Sequence, residues 1–364
     1  MEDVILNKKK VIVGMSGGVD SSVAAGLLLR QGYEVVGVTL KLWADDSYEA
    51  SRISGGCCSL EDIIDAKRVA DQLGIAHYVL NFKDLFKEKV VDYFVDEYLC
   101  GRTPNPCIAC NRHIKFESML QKALSMGFDY IATGHYGKVE QDLTSGRYIL
   151  RKSANTKKDQ SYVLYSLTQP QLSHLLLPLG DMTKDETRAL ATEMGLRVAK
   201  KPDSQDICFV EDNNYGGFIE RFSGKQQEIG PIVSSSGKIL GTHKGFWNYT
   251  IGQRKGLGLA YGKPMYVLSV DADSNTVVLG EAGEEFSDNL IAYDINYISI
   301  QEASEPFEVM ARIRYNGALA EAIVTPMEFG KVKVVFKTPQ RAVTPGQAVV
   351  FYHDDIVVGG GTIE

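Results

Sequence analysis

The chain has 364 residues, 44% hydrophobic and 23% charged, which is long enough for two or three domains with their own cores and too ordinary in composition for a disordered or fibrous protein. Its 39 basic against 46 acidic side chains give a formal charge of −7, so any polyanion partner has to be met by local basic stretches. No apolar run approaches the ~18 residues of a membrane span, and Met1 to Lys10 lacks the apolar stretch of a signal peptide, which makes the cytosol the expected compartment.

The β-branched run Lys10 to Met15 predicts a strand, and Ser21 to Gln31 a helix with Val23, Leu27 and Leu28 inward and Gly32 as its stop. Val35 to Leu40 predicts the next strand. Ser59 and Asp62 read as a capping pair for an amphipathic helix reaching Leu73, followed by the strand His77 to Phe82. Helices are expected over about 84 to 99 and 114 to 126, Gly127 ending the second, with a strand from Tyr130 to Thr133. Strands alternating with helices predict an α/β fold with a doubly wound parallel sheet. Such sheets bind ligands beyond the carboxyl ends of their strands, where Met15 to Ser21 and Thr133 to Tyr136 fall. Thr183 and Glu186 form a capping box for one more helix, which Gly195 ends. From about residue 225 Gly-rich turns separate short alternating strands such as Met265 to Val270, Thr276 to Leu279, Lys331 to Phe336 and Ala348 to Tyr352, predicting a β-rich remainder.

Ser16-Gly17-Gly18-Val19-Asp20-Ser21-Ser22 stands directly between the first strand and its helix. Glycines there let the backbone wrap a phosphate, the serines add hydroxyl donors, and the helix N-terminus supplies N–H groups and positive dipole character. The lysine of a kinase-type phosphate loop is missing. The motif resembles that of the ATP pyrophosphatases, which implies adenylation of a substrate oxygen but does not name the acceptor.

Six cysteines, at 57, 58, 100, 107, 110 and 208, are too sparse for a disulfide scaffold and in a reducing compartment point to metal, redox or sulfur chemistry. Cys107 and Cys110 form a Cys-x-x-Cys after Thr103-Pro104-Asn105-Pro106, a spacing that suits a metal, a cluster or a disulfide. Cys208 follows a polar loop in which Lys200 and Lys201 favour its thiolate. Cys57 and Cys58 read as loop residues, and Cys100 as a thiol packed at a helix end.

Six blocks in one order carry a more specific resemblance: the phosphate loop, Gly101 to Pro106, Ala132 to Tyr136, Lys158-Asp159-Gln160, Asp203 to Phe209, and Gly252 to Gly258. Together they resemble the bacterial tRNA-specific 2-thiouridylases from end to end. The resemblance implies an adenylating domain of adenine nucleotide α-hydrolase type over residues 1–205, a small β-rich central domain over 206–284 and a C-terminal β-barrel over 285–364. It implies ATP held by Gly14, Met15, Ser16, Gly17, Gly18, Val19, Asp20, Ser21 and Gly134, with Leu40 beside the adenine where the family often has methionine. By the same resemblance Cys110 matches the nucleophile and Cys208 the persulfide-bearing cysteine. Asn105, Pro106 and Cys107 match the segment facing the target base. Lys158, Asp159, Gln160, Arg314, Tyr315 and Gln347 match tRNA contacts. His135 invites an acid/base reading, but its place beside Gly134 at a strand end points rather to orienting the loop or touching RNA.

Many members have aspartate where this chain has Cys107. That departure opens two sulfur routes: a 4Fe-4S cluster on Cys107, Cys110 and Cys208, or persulfide transfer without a cluster. Implied besides are Mg2+ with the ATP, a cysteine desulfurase or sulfur-relay protein as donor, and tRNA as partner; for the oligomeric state, which the sequence does not show, a monomer is the default. Two basic tracts, Arg147 to Gln160 and Arg312 to Arg341, each sum to +4 and are the expected RNA surfaces. An amide-forming ATP pyrophosphatase would need none of these cysteines, and an RNA-binding protein without chemistry would release no pyrophosphate.

Overall fold

Two units organise the chain: Met1–Lys89 with Cys107–Glu211 and Asp355–Val357, and Val90–Pro106 with Asp212–Asp354 and Val358–Glu364. The structure, a computed structural model, describes residues 8–43, 60–202, 207–210, 214–258 and 262–364. Ser59, Cys57, Cys58 and the stretch 203–206 lie outside the described residues.

The first unit is built on β1 (Lys10–Gly14), β2 (Glu34–Lys41), β3 (Ala76–Asn81), β4 (Tyr130–Ala132) and the short β7 (Leu175–Leu176), all parallel in the order β3-β2-β1-β4-β7. A hairpin, β5 (Lys138–Gln141) and β6 (Tyr148–Arg151), lies between β4 and β7 in sequence. β1 is buried at Val11, Ile12 and Val13 because helices cover a parallel sheet on both faces. Helix α1 (Val19–Arg30) packs Val19, Val23 and Leu28 into the same core as Val11 and Val13, with Leu27 half-buried at its margin. It starts earlier than Ser21 because Gly17 turns the chain at φ +70° and Gly18 stands as an extended N-cap. Helix α2 (Leu60–Leu73) buries Ala66, Val69 and Ala70. Helix α3 (Lys184–Glu193) opens on the expected box, Thr183 accepting from Glu186 N–H and Glu186 from Thr183 N–H.

The helix expected from 114 begins already at Pro106 and runs through Pro106–Ala109, a π-helical stretch Cys110–Ser118, and Met119–Ser125. Proline suits a first helical position, where its missing N–H costs nothing, so the Cys-x-x-Cys lies on a helix rather than in a loop. Wide π turns of this kind recur at functional sites.

In the second unit, β8 (Gly230–Ser234), β9 (Ile239–His243), β10 (Met265–Asp271) and β11 (Thr276–Glu281) form a sheet in the order β10-β11-β8-β9. β12 (Phe286–Tyr297), β13 (Phe307–Arg312), β14 (Ala320–Pro326), β15 (Val332–Arg341), β16 (Ala348–His353) and β17 (Ile356–Ile363) follow in the order β12-β15-β14-β13-β16-β17. Pairing of β12 with β17 closes them into a six-stranded barrel. Alternation on β15, with Val332, Val334 and Phe336 inward, fills it together with Val349 and Phe351. The chain is thus α/β with a β-rich middle and a C-terminal barrel. Among the described residues no helix is long and apolar enough to cross a membrane.

Cys100 corrects an expectation. It is exposed, because the helix Tyr93–Leu99 buries Phe94, Val95 and Tyr98, and Cys100 follows four residues after exposed Asp96 on the opposite face.

Candidate active site

β1 and β4 are neighbours, with β2 beyond one and β7 beyond the other. Connections therefore leave this pair in opposite directions, and their carboxyl ends open a crevice. It holds about 220 Å³ and is lined by Gly14, Met15, Ser16, Asp20, Ser21, Leu40, Lys115, Gly134, His135 and Gln160, with Val38, Thr39, Leu42, Met119 and Thr133 completing the wall. One side is apolar, suiting a flat base, and the other carries the N-terminal turn of α1, suiting phosphate.

The loop divides its labour. Gly17 has to be glycine, because a Cβ there would fall 2.3 Å from the Asp62 carbonyl oxygen of α2. Val19 is buried in the core, and Ser22, wholly buried, donates its hydroxyl to Gly18 O at 2.8 Å. Gly17, Gly18 and Val19 therefore shape the turn, while Ser16, Asp20 and Ser21 reach the cavity. Gly134 brings the segment after β4 against α1: a Cβ would lie 2.5 Å from Ser21 N and 2.6 Å from Asp20 C.

His135 is in the same wall, its Nδ1 2.8 Å from Thr133 Oγ1 and its ring 5.6 Å from that of Phe116. Burial first, and then the charge of Lys115, hold its pKa well below the usual histidine value. A neutral imidazole there serves hydrogen bonding rather than charge pairing with RNA phosphate. Gln160 accepts from Tyr136 N–H at 2.8 Å and lines the cavity. Asp159 is buried, accepting from the Ser153 and Ser161 amides and the Ser161 hydroxyl, so its carboxylate is turned inward. Lys158 is half-buried beside it. Two lysines that motif reading passed over matter here: Lys115 in the wall, and Lys184, whose ammonium is 2.8 Å from both carboxylate oxygens of Asp20. Nothing in the loop's own sequence signals a partner 164 positions away.

The cysteines are not presented alike. Cys107 is exposed, Cys110 buried and Cys208 half-buried. Phe209, packed on Phe86 and Trp43 at 5.7 and 6.2 Å, pins the turn that carries Cys208. Lys201 does not act as foreseen: its ammonium lies 2.8 Å from Asp62 and 2.7 Å from Asp65, so its charge is compensated by two carboxylates rather than spent on the thiol.

In the second unit, Arg314 donates to Ala342 O and lies 3.4 Å from Thr344 Oγ1. Gln347 donates from its amide to the carbonyls of Thr103 and Pro104 at 2.8 and 3.2 Å, and Thr103 N–H donates to Pro345 O at 2.9 Å. The expected tRNA contact Gln347 thus holds the segment that leads to half-buried Asn105 and buried Pro106. Tyr315 keeps 36% of its surface exposed. The basic tracts are less positive than sequence counting suggests. Lys331, Lys337 and Arg341 pair with Glu364, Glu321 and Glu285, and Arg151 with Glu140 and Asp355.

Three family models cover the chain: the tRNA methyl transferase HUP domain over residues 9–212, the tRNA methyl transferase PRC-barrel domain over 216–281 and the aminomethyltransferase beta-barrel domain over 287–363. A tRNA-specific 2-thiouridylase of Acetivibrio thermocellus is 60% identical over 359 residues, 99% of this chain and 100% of its own length. The chain belongs to the tRNA-specific 2-thiouridylase family. A 2-thiouridylase of Clostridioides difficile is 56% identical over 356 residues, 98% of each chain. A solved complex of a 4-thiouridine synthetase with RNA and ATP covers 59% of this chain and 50% of its own at 17% identity, with a TM-score of 0.37, too remote to carry residue roles.

Among the described residues no three histidine, cysteine or carboxylate groups gather to hold a metal ion. Asp20 is the one carboxylate among the described lining residues, so no preformed protein site for Mg2+ is assigned.

Proposed function

We propose that the protein converts the wobble uridine of the tRNA anticodon to 2-thiouridine with consumption of ATP. The observation that carries the reading is the crevice at the switch point, in which the Ser16 to Ser21 turn and the α1 N-terminus meet an apolar wall of Val38, Leu40 and Leu42. The uridine C2 oxygen is a poor leaving group. Its attack on the α-phosphorus of ATP forms an O–P bond and releases pyrophosphate, whose charge the loop N–H groups stabilise.

Sulfur then displaces AMP. The terminal sulfur of a Cys208 persulfide attacks C2, AMP leaves with the oxygen, and the Cys110 thiolate attacks the Cys208 sulfur. That releases the thiocarbonyl and leaves a Cys110–Cys208 disulfide, which an external thiol reduces. A cysteine desulfurase or relay protein reloads Cys208, and the target base is turned out of the anticodon loop to reach the site. That among the described residues no three such ligands gather to hold a metal ion favours this route over the cluster. The test is mass spectrometry of tRNA incubated with ATP and a desulfurase plus cysteine. Iron-free protein should form 2-thiouridine, and Cys110→Ser or Cys208→Ser should form none while still releasing pyrophosphate in the presence of tRNA. Dependence on bound iron would refute the route.

A further inference from the structure

The phosphate loop carries an acid and no base of its own. Asp20, in the first turn of α1, lines the cavity, where a bare carboxylate would repel a polyphosphate. The fold brings three hydrogen-bonding contacts to it. Lys184 Nζ lies 2.8 Å from Oδ1 and 2.8 Å from Oδ2, and the Tyr136 hydroxyl donates to Oδ1 at 2.9 Å. Tyr136 is 2% exposed, and its oxygen is also 3.0 Å from Thr187 Oγ1 on α3.

Lys184 is misplaced by every local rule. It is the first residue of α3, directly after the Thr183 cap, where the helix dipole disfavours a cation. Its side chain is only 13% exposed, and lysine is seldom buried unless paired. Local rules broken together mark a position held for a tertiary purpose.

Building on the adenylation reading, we propose that Lys184 is the positioning residue of the phosphate loop: from α3 it neutralises and orients Asp20, so that the α1 N-terminus receives the ATP polyphosphate. A lysine inside the loop would contact phosphate directly; here the cation acts through the aspartate. Tyr136 fixes the carboxylate rotamer, and Gly134 closes the same peptide from the other side.

The test uses the full chain and a non-hydrolysable ATP analogue in calorimetry, with thermal melting as control. Lys184→Met should weaken binding about tenfold or more, and Lys184→Arg should restore most of it. At saturating ATP the pyrophosphate release rate of Lys184→Met should stay within about threefold, a KM effect rather than a kcat effect. In an Asp20→Asn background, Lys184→Met should cost little further, because the group it acts on is gone. Equal binding by Lys184→Met overturns the inference, and so does an undiminished loss in the Asp20→Asn background, which would put Lys184 on the phosphate itself. If Lys184→Met melts too early to assay, Tyr136→Phe should weaken binding about threefold, and unchanged binding there overturns the proposal. Wild-type protein that binds no ATP would sink the adenylation reading itself; wild-type binding with an indifferent Lys184→Met sinks only this inference.

Discussion

Gly134→Ala is the most economical way to disturb the crevice. The added methyl would lie 2.5 Å from Ser21 N, 2.6 Å from Asp20 C and 2.9 Å from Asp20 Cβ. The first two are backbone atoms and the third is the first carbon of a clamped side chain, so no flexible end can swing away. Restoring an ordinary contact near 3.5 Å needs a shift of about 1 Å between the β4 end and the α1 N-terminus. Overpacking of this kind costs about 1–3 kcal/mol, or roughly 3–10 °C in Tm for a domain of this size. The same shift spoils the aim of the α1 N–H groups, so ATP affinity should fall about tenfold or more, since ~1.4 kcal/mol is one decade. Gly137→Ala is the control: its new methyl would meet only leucine methyls, at 3.4 Å and beyond, and should be tolerated. Melting and calorimetry on both variants decide it. Gly134→Ala with wild-type Tm and affinity would refute the close approach and the cavity built on it.

Gln347→Leu leaves the Thr103 and Pro104 carbonyls without their side-chain donor, so stability should drop by about 1–3 kcal/mol while tRNA affinity in a filter or anisotropy assay stays within about threefold; a large affinity loss at unchanged Tm would return Gln347 to the tRNA surface. Burial pushes the His135 pKa well below 6.5 and also lowers those of His77 and His243. The unfolded chain takes up protons near pH 6.5 that the folded one refuses, so stability is full above that pH and falls as pH drops through it toward the folded values. Melting from pH 8 to 5 should show this acid-side loss, and His135→Gln should shrink it; an unaltered slope contradicts a lowered His135 pKa. Cys100→Ser should leave thiolation intact, since that thiol faces solvent, and a loss of activity would give Cys100 a part it is not assigned.

The sheet and its helices were legible because they are written locally. β-branched runs at Lys10 to Met15 and Val35 to Leu40, glycine stops at Gly32 and Gly127, and the Thr183 box all act within a few residues. The loop was legible for the same reason. What escaped is tertiary. Lys184 meets Asp20 only because α3 crosses α1, and Asp159 turns inward because two amides and a hydroxyl wait there. The charge sum over Arg312 to Arg341 missed Glu285 and Glu364, acids that reach Arg341 and Lys331 across strands and from the chain end. Cys-x-x-Cys spacing did not tell that Cys107 is exposed and Cys110 buried on a helix that starts at Pro106 and widens at Cys110.

The most direct test of the whole account is a stoichiometric one: wild-type, iron-free protein with a preloaded persulfide, unmodified tRNA and ATP in a single turnover, followed by quantification of 2-thiouridine, AMP and pyrophosphate. Equal amounts of all three and a Cys110–Cys208 disulfide on the protein are expected. Thiolation accompanied by ADP and phosphate, or none without added iron, would contradict it.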